Sequence, residues 1–282
     1  MKVSQEKRNR WVYVSIIFML LALISFSILP LVSSIAQEGR VLKGSSSEPS
    51  QAEKALETKA LGYQLVLERE PDNQNALEGL LEVRLRQGNL KAAIAPLEKL
   101  AQLNPQQTDY TILLAQAKQQ VNDYEGAIAA YRTILASQPR DIQALKGITD
   151  LLLAQNRGGE AVSLVQKTLV EAIKDKAAKT DFVAATNVTS LQLLLGEIYI
   201  EQERYSEALA VYEQAIKSNG EDFRPLLAKA LILQKQGKNP EAEPIFERAV
   251  ALAPVQYKDQ IKKMALGASD SEKKAEIKSE QN

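Results

Sequence analysis

From Leu191 the chain places apolar residues at 191, 194, 195, 198 and 199, a spacing that gathers them on one face of an α-helix. A polar stretch, Glu201 to Arg204, interrupts the pattern. A second stripe then takes Tyr205, Ala208, Leu209, Tyr212, Ala215 and Ile216. The pattern predicts two antiparallel helices joined by a short turn. The same unit recurs at a step of 34: Ala93, Ala127 and Ala161 are so spaced, as are Ala208 and Ala242, and Pro71, Pro105 and Pro139. Five copies follow, at 74–107, 108–141, 142–175, 189–222 and 223–256. One helix pair cannot bury its apolar stripe alone, so the expected fold is all-α, a solenoid of stacked pairs.

The ends and one interior break depart from the period. Residues 53–73 read as a second helix without its first, a half-repeat capping the stack. Residues 257–267 predict a short helix capping the far end, and the charged stretch 268–282 reads as a disordered tail. The step from Ala161 to Ala208 exceeds 34 by 13, which marks an insertion at 176–188. Those residues are expected to lengthen the second helix of the third copy and add a loop.

Ahead of the repeats, Trp11 to Leu29 contains no charged residue. Its 19 residues would make a helix of about 28 Å, enough to cross the hydrocarbon of a bilayer. A transmembrane helix is therefore expected over 11–32, with Pro30 near its exit. It follows a short basic stretch, 1–10, and precedes a Ser- and Gly-rich linker, 33–52. Lys2, Lys7, Arg8 and Arg10 lie before the span, and Arg40 and Lys43 after it. That imbalance favours a cytoplasmic N-terminus and repeats on the far side. Ser34, Ile35 and Ala36 also fit a signal-peptidase site, and cleavage after Ala36 would release an exported protein instead.

Composition narrows the chemistry. With 35 basic and 35 acidic residues the net charge is zero, so a general electrostatic attraction to nucleic acid is not expected. No Cys or His occurs in the chain, which removes His-based triads, Cys nucleophiles and Cys/His zinc sites. Neither GxxxxGK[ST] nor a GxGxxG opening a helix is present. The carboxylates fall at helical spacing, as solvated faces do. The expectation is a protein without catalysis, cofactor, metal or small-molecule substrate.

Leu195-Gly196, Tyr199, Ala208, Tyr212 and Ala215 in the copy 189–222 resemble the motif of the tetratricopeptide repeat (TPR) family. Ala242, Phe246, Ala249 and Pro254 continue the likeness in the last copy, as do Leu114, Ala127, Tyr131 and Pro139 in the second. The first copy keeps Leu80, Gly88, Ala93 and Pro105, and the third keeps Ala161. The family pattern implies that Gly196 and Ala208 lie where the helices of a pair cross, with Tyr199 and Tyr212 filling the space between neighbouring pairs. It also implies a concave groove lined by first-helix residues. Those are Asn75, Glu78 and Glu82 in the first copy, and Asp109, Ile112 and Gln116 in the second. Gln143, Lys146 and Asp150 follow in the third, Leu193 and Glu197 in the fourth, and Arg224 and Leu227 in the fifth.

A protein partner in that groove is what the resemblance implies. The Lys and Asn set by which some TPR co-chaperones hold a terminal carboxylate is missing. Its places hold Glu78, Glu82, Leu113, Gln143 and Gly147, or, one repeat on, Ile112, Gln116, Gly147, Ser190 and Leu194. The whole arrangement is similar to membrane-anchored TPR proteins of cyanobacteria and plastids. These assist photosystem assembly or hold pigment-synthesis enzymes such as protochlorophyllide oxidoreductase at the thylakoid. The expected function is thus a membrane-anchored scaffold, with the bilayer contacted through 11–32. The alternative is an exported or periplasmic-facing adaptor for translocated proteins.

Overall fold

The computed structural model describes residues 50–178 and 182–266. The basic N-terminus, the expected transmembrane span 11–32, most of the linker and the tail 268–282 lie outside the described residues. Among the described residues no helix is long and apolar enough to cross a membrane.

A single helix, α1 (Gln51–Arg69), opens the described chain. Five pairs follow: α2 (Gln74–Arg86) with α3 (Leu90–Leu103), α4 (Thr108–Gln120) with α5 (Tyr124–Ser137), and α6 (Ile142–Ala154) with α7 (Gly158–Ala178). Then come α8 (Phe182–Glu201) with α9 (Tyr205–Ser218), and α10 (Phe223–Lys235) with α11 (Asn239–Leu252). The last helix, α12, covers 255–266. Each helix packs on the next, and α6 also meets α8 as α8 meets α10, so the first helices of the pairs form a layer of their own. The architecture is an all-α solenoid. The 13 extra residues do not simply extend one helix. Those up to Ala178 belong to α7 and those from Phe182 belong to α8.

Local chemistry starts and stops these helices. Ser50 and Glu53 form a reciprocal cap on α1, with Ser50 N–H donating to Glu53 Oε2 at 2.7 Å and Glu53 N–H to Ser50 Oγ at 3.2 Å. Asn73, Asn89, Asp123 and Asp141 each accept a backbone N–H from the first turn they precede. Inside every pair the same tight turn recurs. Asn89, Asp123, Arg157, Arg204 and Lys238 donate their N–H to the carbonyls of Arg84, Lys118, Leu152, Tyr199 and Leu233, all at 2.8–2.9 Å. The residue just before each donor is left-handed: Gly88, Asn122, Asn156, Glu203 and Gly237, with φ between 60° and 75°. Such a turn satisfies the last carbonyls of the first helix and favours Gly or Asn. Glu203 is the exception in residue type. Gly88, kept in the first copy, serves this turn.

Small residues let the helices approach. Ala93, Ala127, Ala161 and Ala208 are fully enclosed, as are Ala115, Thr149 and Ala230 on the facing helices. An aromatic ring lies over a glycine at three places: Tyr63 over Gly79, Tyr131 over Gly147 and Tyr212 over Gly196. The first two pairs bridge consecutive repeats. Tyr212 instead covers the glycine of its own pair, while Tyr199 reaches back, its hydroxyl accepting from Gln166 Nε2 of α7 at 2.9 Å. One continuous core runs from Leu77 to Ile232, and a second, around Leu226, Phe246 and Ile261, closes the C-terminal end.

Candidate partner-binding face

The first-helix layer divides into two parts of different character. Toward the N-terminus it is polar and open. Asn75, Glu78, Glu82, Asp109, Gln116 and Gln143 are all exposed. The Tyr110 hydroxyl donates to Glu78 Oε1 at 2.6 Å, and this hydrogen bond pushes the phenol up to about 12. Glu82 pairs with Arg86 one turn along its helix. Ile112 is not a groove residue, because its side chain packs into the core.

At the third and fourth repeats three of the expected residues converge. Lys146 Nζ lies 3.4 Å from Asp150 Oδ1 and 3.5 Å from Glu197 Oε2, so one ammonium bridges α6 and α8. Burial pushes the Glu197 carboxyl up to about 8, against the pull of Lys146. Burial likewise raises Asp150, with Lys146 opposing. For Lys146, burial would lower the ammonium, but the two carboxylates outweigh it and hold it above the usual lysine range. These groups line a cleft of about 720 Å³, together with Leu153, Glu201 and Gln202.

Beyond Glu197 lies an apolar cavity of about 230 Å³. Leu193, Arg224 and Leu227, three of the positions read from the sequence as groove-facing, line it. Glu197 lines it too, as do Tyr205, Tyr212, Phe223, Leu231, Lys235, Tyr257, Gln260, Ile261 and Met264. Phe223 and Tyr257 stack with centroids 5.8 Å apart. Two of the polar members are held by neighbours. Arg224 forms a fork on Asp222, with Nη2 to Oδ2 at 2.6 Å and Nε to Oδ1 at 3.0 Å. Lys235 Nζ donates to the Tyr205 hydroxyl at 2.7 Å and sits over its ring. Gln234 Nε2 donates to the Met264 carbonyl at 3.1 Å and fastens α12 as the cavity's far wall.

Sequence reasoning missed the contribution of α12 and of Tyr205. The run Phe223, Leu227, Leu231 at steps of four was visible, and it traces the α10 side of the cavity. What the cavity can do follows from its lining: apolar walls with polar groups at the edge accept a hydrophobic side chain. Among the described residues no group of three or more metal-ligating side chains exists.

The tetratricopeptide repeat profile matches residues 42–108, 112–177 and 193–257. Among curated proteins, SLOW GREEN 1, chloroplastic, of Arabidopsis thaliana is 27% identical over 192 residues, which are 68% of this chain and 58% of that protein. Cellulose synthase operon protein C of Pseudomonas fluorescens (strain SBW25) is 26% identical over 61% of this chain and 13% of its own length. This chain thus spans little more than half of the first relative and a small part of the second. Among solved structures, TTC0263, a thermophilic TPR protein in Thermus thermophilus, aligns with TM-score 0.41 and 18% identity over 69% of this chain and 98% of that one. YrrB, a TPR protein with an unusual peptide-binding site, aligns with TM-score 0.40 and 12% identity over 75% and 99%.

Proposed function

This chain belongs to the tetratricopeptide repeat family, and we propose that it is a non-catalytic scaffold that captures a protein partner on its first-helix layer. The observation that carries this reading is the cavity between α8, α10 and α12. A largely apolar, aromatic-lined recess with charged side chains at its edge anchors one large side chain of a client. Family members are in general adaptors rather than enzymes.

In this reading residues 11–32 span a membrane and hold the repeats near their clients. A short flexible tether raises the effective concentration to about the millimolar range, so a modest groove suffices. One relative is a chloroplast protein, which is compatible with the further reading that the membrane is a thylakoid and the clients are pigment-synthesis enzymes or photosystem subunits. A second reading rests on Ser34, Ile35 and Ala36, whose small residues fit cleavage and export as a soluble adaptor. Alkaline carbonate extraction separates the two, since a spanning helix stays in the membrane pellet and a cleaved protein is released.

The scaffold itself is tested at Leu231, a half-buried wall residue. Leu231→Arg places a charge in the cavity and is expected to lower capture of specific partners from native membranes at least tenfold. Gln214→Arg, on the exposed face of α9, is expected to leave capture unchanged. Equal capture by both variants would remove the cavity from the account.

A further inference from the structure

The two ends of the solenoid are finished differently. At the C-terminal end α12 turns Ile261 inward and carries exposed Asp259, Lys262 and Lys263 on its outer side, with Val255 and Leu266 exposed only at its tips. That polar outer face is what an end cap needs to stay soluble. At the N-terminal end α1 packs Leu56, Ala60, Tyr63 and Leu67 against α2 and pairs Glu57 with Arg84 at 2.8 Å. Its opposite face is apolar: Leu61 is 53% exposed, Leu65 60% and Val66 40%.

Three features of that face say what covers it. First, Lys54, Thr58, Leu61, Leu65 and Glu68 are all exposed and follow one another at steps of 4, 3, 4 and 3, the spacing of a seam between two helices. Second, Gly62 sits mid-helix beside the seam, and a Cβ there would meet nothing within 4 Å. Glycine weakens a helix interior, and no contact among the described residues requires it. A second helix approaching closely would. Third, the charges are arranged for self-pairing. Glu53 and Lys54 stand in the first turn, Glu68 and Arg69 in the last, and among the described residues none of the four forms a salt bridge. An antiparallel copy crossing at Leu61 sets Lys54 opposite Glu68 and Glu53 opposite Arg69, twice over. A parallel copy would set like against like.

We infer that α1 is a self-association seam, pairing with α1 of a second copy of this chain in an antiparallel, two-fold arrangement. Each copy then lays a helix on the face of α1 that the described residues leave exposed. A two-fold contact closes on itself, so the expected assembly is a dimer rather than a fibre. The inference is independent of the cavity and of its client.

The chain has no cysteine, so Leu61→Cys in the full-length protein gives a single thiol at the crossing point. With a short bismaleimide, most of the Leu61→Cys protein is expected to become covalent dimer, at least tenfold more than Gln214→Cys gives. Adding Gly62→Leu is expected to cut that yield at least fivefold with the helical circular dichroism unchanged, because a Cβ there meets nothing within 4 Å among the described residues. Lys54→Glu should weaken crosslinking, and Lys54→Glu with Glu68→Lys should restore it. The inference fails if Leu61→Cys crosslinks no better than Gln214→Cys. It fails equally if the thiol is shielded from maleimide without dimer forming, since a bilayer or another part of the same chain would then cover α1.

Discussion

Tyr212→Ala is expected to lower the unfolding free energy by about 3–5 kcal/mol, the range for truncating a buried aromatic ring. Tyr212 is 1% exposed, the largest fully enclosed side chain among the described residues. Its ring lies over Gly196, where a Cβ would come within 2.2 Å of Tyr212 Cε1. Gly196→Ala therefore forces ring or backbone to shift, at about 1–3 kcal/mol. The two changes touch the same few atoms, so their effects should not add. In the double variant the alanine methyl enters space the ring has left, and the combined loss falls short of the sum. Urea unfolding of the four proteins measures this coupling. A Gly196→Ala protein as stable as wild type would mean that the close contact is absent. Because a solenoid is stabilised between neighbours, damage here also threatens to uncouple α9–α12 from the pairs before them. A broadened or two-step transition in Tyr212→Ala is the expected sign.

Lys146→Met is expected to cost about 2 kcal/mol near neutral pH, and more as pH rises. The side chains of Lys146, Asp150 and Glu197 are 25%, 40% and 15% exposed. The triad thus lies between a surface pair, worth less than about 1 kcal/mol, and a fully buried one, whose disruption costs about 3–5 kcal/mol. The sign of the pH dependence follows from Glu197. Burial raises its folded-state pKa from 4.5 to about 8, with Lys146 opposing and Asp150 and Glu201 adding. A raised acid holds its proton more tightly folded than unfolded. Its contribution to stability is full below pH 4.5, shrinks as pH climbs, and is lost above about 8. Removing Lys146 deletes the charge that lets the ionised carboxylate be tolerated. Wild type and variant should thus melt close together near pH 4.5 and separate toward pH 8.5. Lys146→Met/Glu197→Gln is expected to close most of that gap. Curves that stay parallel across the range would show that the triad is not electrostatically coupled in the fold.

Much of the architecture is written in the sequence because its cause is local and repeated. Ala93, Ala127 and Ala161 recur at one step because every pair must bring two backbones together at the same crossing. The helix boundaries follow from caps such as Asn73 and Asp141 beside apolar stripes of helical period. What was less legible depends on contacts that no period encodes. Lys146 and Glu197 are 51 residues apart, with the insertion between them, so nothing in the spacing places them side by side. Ile112 occupies a position that reads as groove-facing, but on α4 it turns into the core. Gly79 and Gly147 gave no motif, since the rings above them come from the preceding repeat. The positive φ of Glu203 was hidden by its residue type, where Gly88 and Gly237 could have announced the turn. The cavity was half visible, because Leu193, Arg224 and Leu227 lie at the pattern's groove positions and α12 does not belong to the pattern.

The central claim is that a client's side chain enters the cavity between α8, α10 and α12. Its most direct test places a photo-crosslinking amino acid at Gln260, a half-buried lining residue, in the full-length protein in native membranes. Discrete adducts are expected from Gln260, none of the same mass from Gln214 on the outer face, and loss of the Gln260 adducts when Leu231→Arg is added. Adducts of equal mass and yield from both faces, or adducts from Gln260 that survive Leu231→Arg, would contradict it.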